Sequence, residues 1–454
     1  MKKIIILIIL ATTVNFLFSY SIMNRFEGNF VENLDARSIA MGSATICGET
    51  NLFQSLINPA NLVNVKSKFG FQTSGNFLVN TDNRALPMYN SFDGFSGEAT
   101  YVSNVNLYDG YAFGAYYREK FISAAIVYHP FVSFESNYFE QVRNNANSNN
   151  NNYPPILAKN YLNGTGGIDA LSFIVAGKMS IATLGCKLSK LSGNSHLERK
   201  IIWDDWAINE ISDLQNDINY SDRNFEAFST QFGANFQISE RMMFGLSFTP
   251  KIEFDVSGFV MDTLGVDSMV FVYTKYDSLA NPTDSLTFGD YTIPQKFRFG
   301  LNYQPRNIMR TNFNLDVEFV KWSDVCSLYE DATNFYLGVE HKLTNSIPFR
   351  FGFNYRTDYI LSNHDGFTFA DKVTLPTFSV GTGFEILDKF TFDFGLELTN
   401  RQYETLDLFM DSHYDYEELW ANPQYLNFAD RDWSNPDLVK ETFLNLQTSI
   451  SYKW

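Results

Sequence analysis

Apolar and polar residues alternate along many short stretches of this sequence. In FRFGFNYR, residues 349–356, an aromatic side chain stands at every second position, with arginine, glycine or asparagine between them. The stretches KFRFGLNY at 296–303 and FTFDFGLEL at 390–398 show the same two-residue period. Because successive side chains of a β-strand point to opposite faces, this period predicts strands with one apolar face and one polar face.

About fourteen stretches of this kind occur, and many are close to the roughly 9–11 residues with which a tilted strand crosses a bilayer. They lie near 69–79, 110–117, 120–135, 169–177, 180–190, 227–237, 241–257, 290–304, 311–320, 333–341, 348–356, 376–386, 390–400 and 441–454. An even number of strands suits a closed antiparallel barrel, which leaves no strand edge unpaired in lipid.

A soluble β-sandwich also alternates, with polar residues outside and an apolar face covered by a second sheet. Composition favours a membrane barrel over this alternative. Aromatic residues make up 17% of the chain, with 44 Phe and 25 Tyr, yet the mean hydropathy is only −0.18. An apolar outer wall around a charged lumen gives such a balance. The sequence therefore predicts an all-β fold, a transmembrane antiparallel β-barrel of about 14 strands.

The predicted connections alternate in length. Short turns are expected near 118–119, 178–179, 239–240 and 388–389. Long polar segments are expected at 136–168, 191–226, 258–289, 357–375 and 401–440. Outer-membrane barrels have short periplasmic turns and long extracellular loops, so we assign these segments accordingly and expect the barrel to cover residues 67–454.

Both ends of the sequence indicate export to an outer membrane. Lys2 and Lys3 precede an apolar run, and small residues flank Tyr20, so residues 1–21 are predicted to be a cleaved signal peptide. An uncleaved anchor is the alternative. The last stretch, TSISYKW, alternates up to Trp454 and resembles the terminal strand of substrates of the outer-membrane barrel assembly machinery. We therefore expect outer-membrane lipid and this machinery as partners.

Charge and reactive residues exclude several other classes of protein. With 34 basic and 51 acidic residues the net charge is −17, which disfavours binding to nucleic acid. Cys47, Cys186 and Cys326 are too far apart for a disulfide framework or a paired-cysteine metal site. The five histidines stand without a nucleophile motif or metal-ligand spacing. We expect no enzymatic activity, no cofactor, no metal and a monomeric protein.

Residues 36–62 break the alternation with small residues and an Asn58-Pro59-Ala60 turn. This stretch, together with Met41-Gly42, resembles the N-terminal hatch of the FadL family of outer-membrane transporters. The stretches 109–131, 232–258 and 293–324 are similar to strand hairpins of the same family. One departure is Asn61, which follows the turn where the family usually has glycine.

The resemblance implies a fourteen-stranded barrel with residues 22–66 forming a hatch inside it. It also implies passive transport of long-chain fatty acids or other hydrophobic small molecules, with exit through a gap in the wall. Barrels of type IX secretion systems are similar as well, and they serve as shuttles or anchors. An accessory barrel with a structural or binding role is therefore the alternative function, and a passive polar porin is a third reading.

Two sets of residues are candidates for ligand contact. Residues 201–220 show helical spacing of apolar positions, which predicts either a groove where the ligand enters or a helix packed on the barrel rim. These positions are Trp203, Ala207, Ile211, Leu214 and Ile218, and Trp206 is a further candidate for ligand entry. In the lumen, four cations could bind a carboxylate or could pair with acidic residues such as Asp316 and Glu318. They are Lys251, Arg298, Arg350 and Arg356.

Overall fold

The structure is a computed structural model that describes residues 21–31, 33–48, 51–92, 94–146, 154–262, 291–306, 310–342, 347–364, 367–387 and 389–454. The predicted signal peptide lies outside the described residues except for Ser21. Most of the predicted loop 258–289 lies outside them too.

The described part of the chain forms fourteen wall strands, each antiparallel to its neighbours. Strands β3, β7 and β8 are each built from two stretches. The bounds are β1 Phe69–Tyr89, β2 Phe95–Glu119, β3 Ile122–Ser133 with Ser136–Arg143, β4 Ile156–Met179, β5 Ala182–Trp203, β6 Asp217–Ser239, β7 Met242–Thr249 with Ile252–Asp262, β8 Tyr291–Ile293 with Lys296–Tyr303, β9 Asn312–Val320, β10 Ala332–Lys342, β11 Pro348–His364, β12 Phe367–Ile386, β13 Phe390–Thr405 and β14 Asp437–Lys453.

The sheet closes on itself. Strand β14 pairs with β13 on one side and with β1 on the other, where the register runs from Leu438 opposite Ala85 to Lys453 opposite Gly70. Beyond the last strand pair, the Trp454 N–H donates to the carbonyl of Phe69 (3.0 Å). The predicted fold class, a closed antiparallel barrel of fourteen strands, is confirmed.

The two faces of the wall differ as the alternation predicts. On β11, Phe349 and Phe351 are 39% and 45% exposed on the outer side, whereas Arg350 between them is 4% exposed and faces the lumen. Outward phenylalanine, leucine, valine and isoleucine side chains form the same kind of belt on β9, β12, β13 and β14. An apolar belt around a polar lumen is the arrangement that a barrel in lipid requires.

Several strands are much longer than the alternation predicted. Strand β5 continues to Trp203, and β6 begins at Asp217, so the predicted loop 191–226 is mostly wall. Residues 136–143 and 156–168 and most of 357–375 are also strand. The predicted bounds were wrong because the pattern inverts above the belt. There, Leu197 and Ile201 face inward, while polar residues such as Glu198 point out.

Tight turns connect the strands at the end of the barrel that we assign to the periplasm. Lys120, Ser180 and Leu387 sit in three of them and have positive φ angles of 31°, 53° and 56°. The longest fully described connection at the opposite end is 406–436. Within the part of the chain that is described, no helix is both long and apolar enough to cross a membrane.

Residues 21–66 contact the lumen side of the wall. They contain a two-residue strand, Asn29–Phe30, the short helix α1, Ala36–Ala40, and 3-10 turns at Phe53–Leu56 and Pro59–Asn64. The Asp35 carboxylate caps α1 by accepting from the Ser38 N–H (3.0 Å). Most of these residues are buried against the inner face of the wall.

Candidate functional site

A turn at Asn58–Ala60 fastens the N-terminal segment to β6. The buried Asn58 side chain accepts from the Ala60 N–H (3.1 Å) and donates to the Ile46 carbonyl (2.8 Å) and to Asn235 Oδ1 (2.9 Å). Pro59 starts the 3-10 turn, where its fixed φ suits the helix and its missing N–H costs nothing. The structure thus places the three residues of the predicted hatch motif together against the wall.

Glycines on the wall allow this close approach. Gly185 on β5 lies opposite Gly233 on β6. A Cβ atom on Gly233 would lie 1.9 Å from Asn58 Oδ1, and a Cβ atom on Gly352 of β11 would lie 1.8 Å from the Gly42 nitrogen. No side chain fits at such distances, so these glycines determine where the N-terminal segment rests.

Two of the predicted lumen cations are committed to ion pairs. Arg298 is buried, and its Nη2 donates to Asp316 Oδ2 (2.8 Å). Arg350 is also buried and donates to Glu340 Oε2 and to Asp393 Oδ1, each at 2.7 Å. A ligand carboxylate would have to compete with these internal carboxylates for either arginine.

The other two predicted cations lie in different surroundings. Arg356 is half-buried beside a cavity and donates to Asn354 Oδ1 (3.2 Å). Lys251 lies on the outer side of the wall, where it pairs with Glu253 (2.5 Å). The prediction that Lys251 faces the lumen is wrong, because the break in β7 gives the inward position to Ile252.

Two cavities flank Phe30, Val31 and Asn33 of the N-terminal segment. One measures about 170 Å³ and is bordered mainly by polar groups, among them Arg356 and Arg401. The other, which we call the inner chamber, measures about 140 Å³ and combines apolar residues such as Phe53 with charged ones, namely Lys187, Lys296, Arg298 and Glu318. A cavity of about 150 Å³ holds one benzene molecule, so each accommodates part of an elongated ligand.

Lys187 on β5 is the cation that the sequence prediction missed. Its ammonium group donates to the carbonyl of Leu56 (3.0 Å), and the side chain is 9% exposed. Among the described residues no carboxylate lies within 4 Å of it. A buried charge without a countercharge is costly, and an anionic group in the inner chamber would offset that cost. The signal was present in the sequence, since a two-residue period puts Lys187 on the same face as Ser189.

The wall has a gap between β2 and β3. Backbone pairing of these strands ends where Phe113 faces Tyr128. Farther from the periplasmic end they meet again through side chains, where Asn106 Nδ2 donates to the Asn137 carbonyl (2.9 Å). Residues 107–112 of β2 therefore pair with β1 only.

The gap arises because β3 bends inward. Phe131 is an extra residue between Pro130 and Val132, which pair with consecutive positions of β4. Such a bulge bends a strand, and proline has no N–H to offer to a neighbouring strand. The edge of β3 that turns away from β2 pairs instead with Phe30, opposite Val132. His129 and Phe131 border the inner chamber, so the chamber lies next to the gap.

The predicted helix at 201–220 is not continuous. Helix α2 covers only Asp205–Glu210, because β5 reaches Trp203 and β6 starts at Asp217. The apolar stripe packs inward rather than forming an open groove: Trp203, Ala207 and Leu214 are buried in a cluster with Phe409, Tyr414 and Leu419 of the 406–436 loop, while Trp206 and Ile211 are half-buried at its edge.

This cluster, which we call the mouth cluster, lies at the extracellular end of the lumen. Ile22 and Phe26 of the N-terminal segment also belong to it. Arg431 in the 406–436 loop pairs with Asp407 and with Asp437, which stand at the two ends of the loop. Burial raises the pKa of the nearby Asp411 carboxyl, and the charge of Asp407 raises this pKa further.

No group of three or more acidic, histidine or cysteine side chains is arranged to hold a metal ion in the described ranges. His129 is buried, and its ring nitrogens bond to the Pro130 carbonyl (2.9 Å) and Ser172 Oγ (3.2 Å). These bonds hold the start of the bend in β3.

The fold is similar to solved outer-membrane barrels. A FadL homologue from Pseudomonas aeruginosa matches with a TM-score of 0.58 at 11% identity, over 94% of this chain and 99% of that chain. The toluene transporters TodX of P. putida (TM-score 0.56, 12% identity, 94% and 99% covered) and TbuX of Ralstonia pickettii (0.53, 12%, 93% and 99%) also match. No protein-family model and no curated protein matches the sequence. The chain thus has a FadL-like barrel fold.

Proposed function

We propose that this chain is a passive outer-membrane transporter of hydrophobic small molecules, among them amphipathic anions such as long-chain fatty acids. One observation carries the proposal: the inner chamber adjoins a gap in a wall whose outer face is an apolar belt. The names of similarly folded structures, a FadL homologue and two toluene transporters, support it.

The route follows from this geometry. A ligand enters past the mouth cluster, occupies the inner chamber and leaves sideways through the gap between β2 and β3. A molecule that takes this path stays in contact with apolar groups and then with lipid, so it never crosses bulk water. Transport therefore needs no energy source beyond the concentration gradient.

Lys187 gives the inner chamber a preference for anions. Its ammonium would form a charge-assisted hydrogen bond with a carboxylate, while Phe53 and Leu56 contact the apolar tail. Arg298, Arg350 and Arg356 are secondary candidates for binding the carboxylate, because each already donates hydrogen bonds to other side chains of the protein. We assign no catalytic role to any residue.

In this proposal residues 22–66 act as the hatch, and residues 67–454 form the pore around it. Residues 1–21 direct export and are removed, and the barrel assembly machinery inserts the protein as a monomer. The Asn58–Ala60 turn keeps the hatch in place when a ligand shifts Phe30, Val31 and Asn33, which lie between the two cavities.

The test compares oleate with its methyl ester in equilibrium binding to the purified protein in detergent. Wild-type protein is expected to bind oleate more tightly, and Lys187→Met is expected to lower the oleate affinity about tenfold or more while leaving the ester unchanged, since a hydrogen bond to a charged group contributes ~1.5–3 kcal/mol. Lys190→Met is the matched control, because Lys190 lies on the same strand but is exposed on the outer side.

If Lys187→Met and Lys190→Met lost oleate affinity to the same extent, Lys187 would not be part of the binding site. The accessory-barrel function would be favoured over transport if wild-type protein bound neither ligand and co-purified stably with a secretion partner.

A further inference from the structure

The two ends of the barrel carry opposite charge, although the chain as a whole is acidic. The described connections at the extracellular end, 204–216, 321–331 and 406–436, contain fourteen acidic and two basic residues. The described connections and chain ends at the periplasmic side contain seven basic residues and one acidic residue. The basic residues are Lys66, Lys68, Lys120, Arg241, Arg306, Arg310 and Lys389.

Four further cations stand in the last two residues of strands at the same end. They are Arg118, Lys178, Lys342 and Lys453. We call the eleven residues together the basic ring. Some of its members have partners: Lys68 pairs with Glu119 (3.0 Å), and Lys453 pairs with Glu385 (3.1 Å). Five exposed members have no carboxylate within 4 Å among the described residues. These are Lys120, Lys178, Arg306, Arg310 and Lys389.

The apolar belt reaches the level of this ring. Large apolar side chains are 60% to 80% exposed in the turns, at the end of β6 and just after β14, where water would be unfavourable for them. They are Phe121, Ile181, Ile238, Leu387 and Trp454. Aromatic and aliphatic residues in such positions sit at the boundary between acyl chains and headgroups. Neighbouring lysines and arginines therefore lie at headgroup height, which long basic side chains reach by extending toward the polar layer.

We infer that the basic ring binds the phosphate groups of anionic phospholipids in the inner leaflet of the outer membrane. The inference rests on the proposed membrane location but not on any transported ligand. Lysine and arginine beside a membrane surface attract anionic headgroups, and the attraction grows with the number of cations. Acidic connections give the extracellular end no comparable attraction for anions. The ring thus orients the barrel and retains anionic lipid at its periplasmic end.

The experiment is a titration of the full-length folded protein in detergent with dioleoyl-phosphatidylglycerol, read by native mass spectrometry. The zwitterionic dioleoyl-phosphatidylcholine is the reference lipid. The test variant is Lys120→Gln, Lys178→Gln, Arg306→Gln and Lys389→Gln combined. The matched control replaces four lysines of the extracellular half, Lys159→Gln, Lys200→Gln, Lys372→Gln and Lys440→Gln. Heat-modifiable migration on a gel verifies that each protein is folded.

Wild-type protein and the control are expected to prefer phosphatidylglycerol, and the ring variant is expected to lose affinity for it by about tenfold or more. Binding of phosphatidylcholine should stay the same in all three. Equal affinity of the ring variant and wild type for phosphatidylglycerol would overturn the inference. Loss of binding to isolated peptidoglycan without any change in lipid binding would also overturn it, in favour of the cell wall as partner. Oleate binding, measured on the same samples, reports on the proposed transport separately.

Discussion

At the residue scale, features that depend on neighbouring residues could be predicted from the sequence, and features that depend on residues far along the chain could not. The Asn58-Pro59-Ala60 turn was predicted because its hydrogen bond and backbone geometry are local. The alternation does separate Lys187, which faces the lumen, from Lys190, which faces out. Lys187 was missed because its surroundings, where it bonds to the Leu56 carbonyl and has no nearby carboxylate among the described residues, are made by residues distant in the sequence. Lys251 was assigned to the wrong face because a strand break interrupts the alternation that the prediction extended through it.

Gly233, which lies against the Asn58–Ala60 turn, provides a test of how the N-terminal segment is held against the wall. Gly233→Ala places a methyl carbon 1.9 Å from Asn58 Oδ1, so we expect the segment to shift while the barrel still closes. The closed hydrogen-bond network of the wall does not involve this contact. Liposomes containing the variant should leak small solutes faster than those containing wild type, with unchanged heat-modifiable migration.

Gly177→Ala is the control for that experiment, because its nearest neighbour would be 3.8 Å away. If Gly233→Ala leaks no more than Gly177→Ala does, the contact with Asn58 does not hold the segment in place.

At the element scale, the alternation predicted that strands exist but not where they end. On β5, Leu184 and Leu188 point outward within the belt, whereas Leu197 and Ile201 point inward above it. Within the belt the apolar environment is the lipid outside, so apolar side chains point outward. Above the belt it is the mouth cluster inside the barrel, so they point inward. A two-residue period that reverses its phase looks like the end of a strand, so the extensions were assigned to loops.

The 406–436 loop closes the extracellular end, and Arg431 joins its two ends through Asp407 and Asp437. Arg431→Gln removes these charge-assisted bonds, each contributing ~1.5–3 kcal/mol, so the loop should open at least about tenfold more often. Chymotrypsin is expected to cut the variant faster within the loop, where Tyr414 and Trp420 are available as cleavage sites.

Lys440→Gln serves as the comparison, because it breaks an ion pair with Glu98 on the outer surface of the same end. Cleavage of Arg431→Gln no faster than that of Lys440→Gln would mean that apolar packing of the mouth cluster alone keeps the loop closed.

At the scale of the whole molecule, closure could be predicted and the gap could not. A closed barrel follows from the even number of amphipathic strands, because lipid does not tolerate unpaired strand edges. The position of the gap depends on one inserted residue in β3 and on the strand Asn29–Phe30, about a hundred residues earlier in the chain, which pairs with the bent edge. No local pattern in the sequence indicates that Phe30 meets Val132.

The gap leads to the last prediction, which concerns the path of transport. Deleting Phe131 removes the bulge, so β3 should continue beside β2 and fill the opening that begins above Phe113 and Tyr128. The inner chamber keeps Lys187, so oleate should still bind to the variant in detergent. Oleate transfer into the lipid of proteoliposomes should fall about tenfold, equivalent to ~1.4 kcal/mol added to the barrier. Phe131→Ala is the control, since it keeps the extra residue and removes only its side chain. Transfer at the wild-type rate after the deletion would mean that the ligand leaves through the periplasmic end instead, past the N-terminal segment.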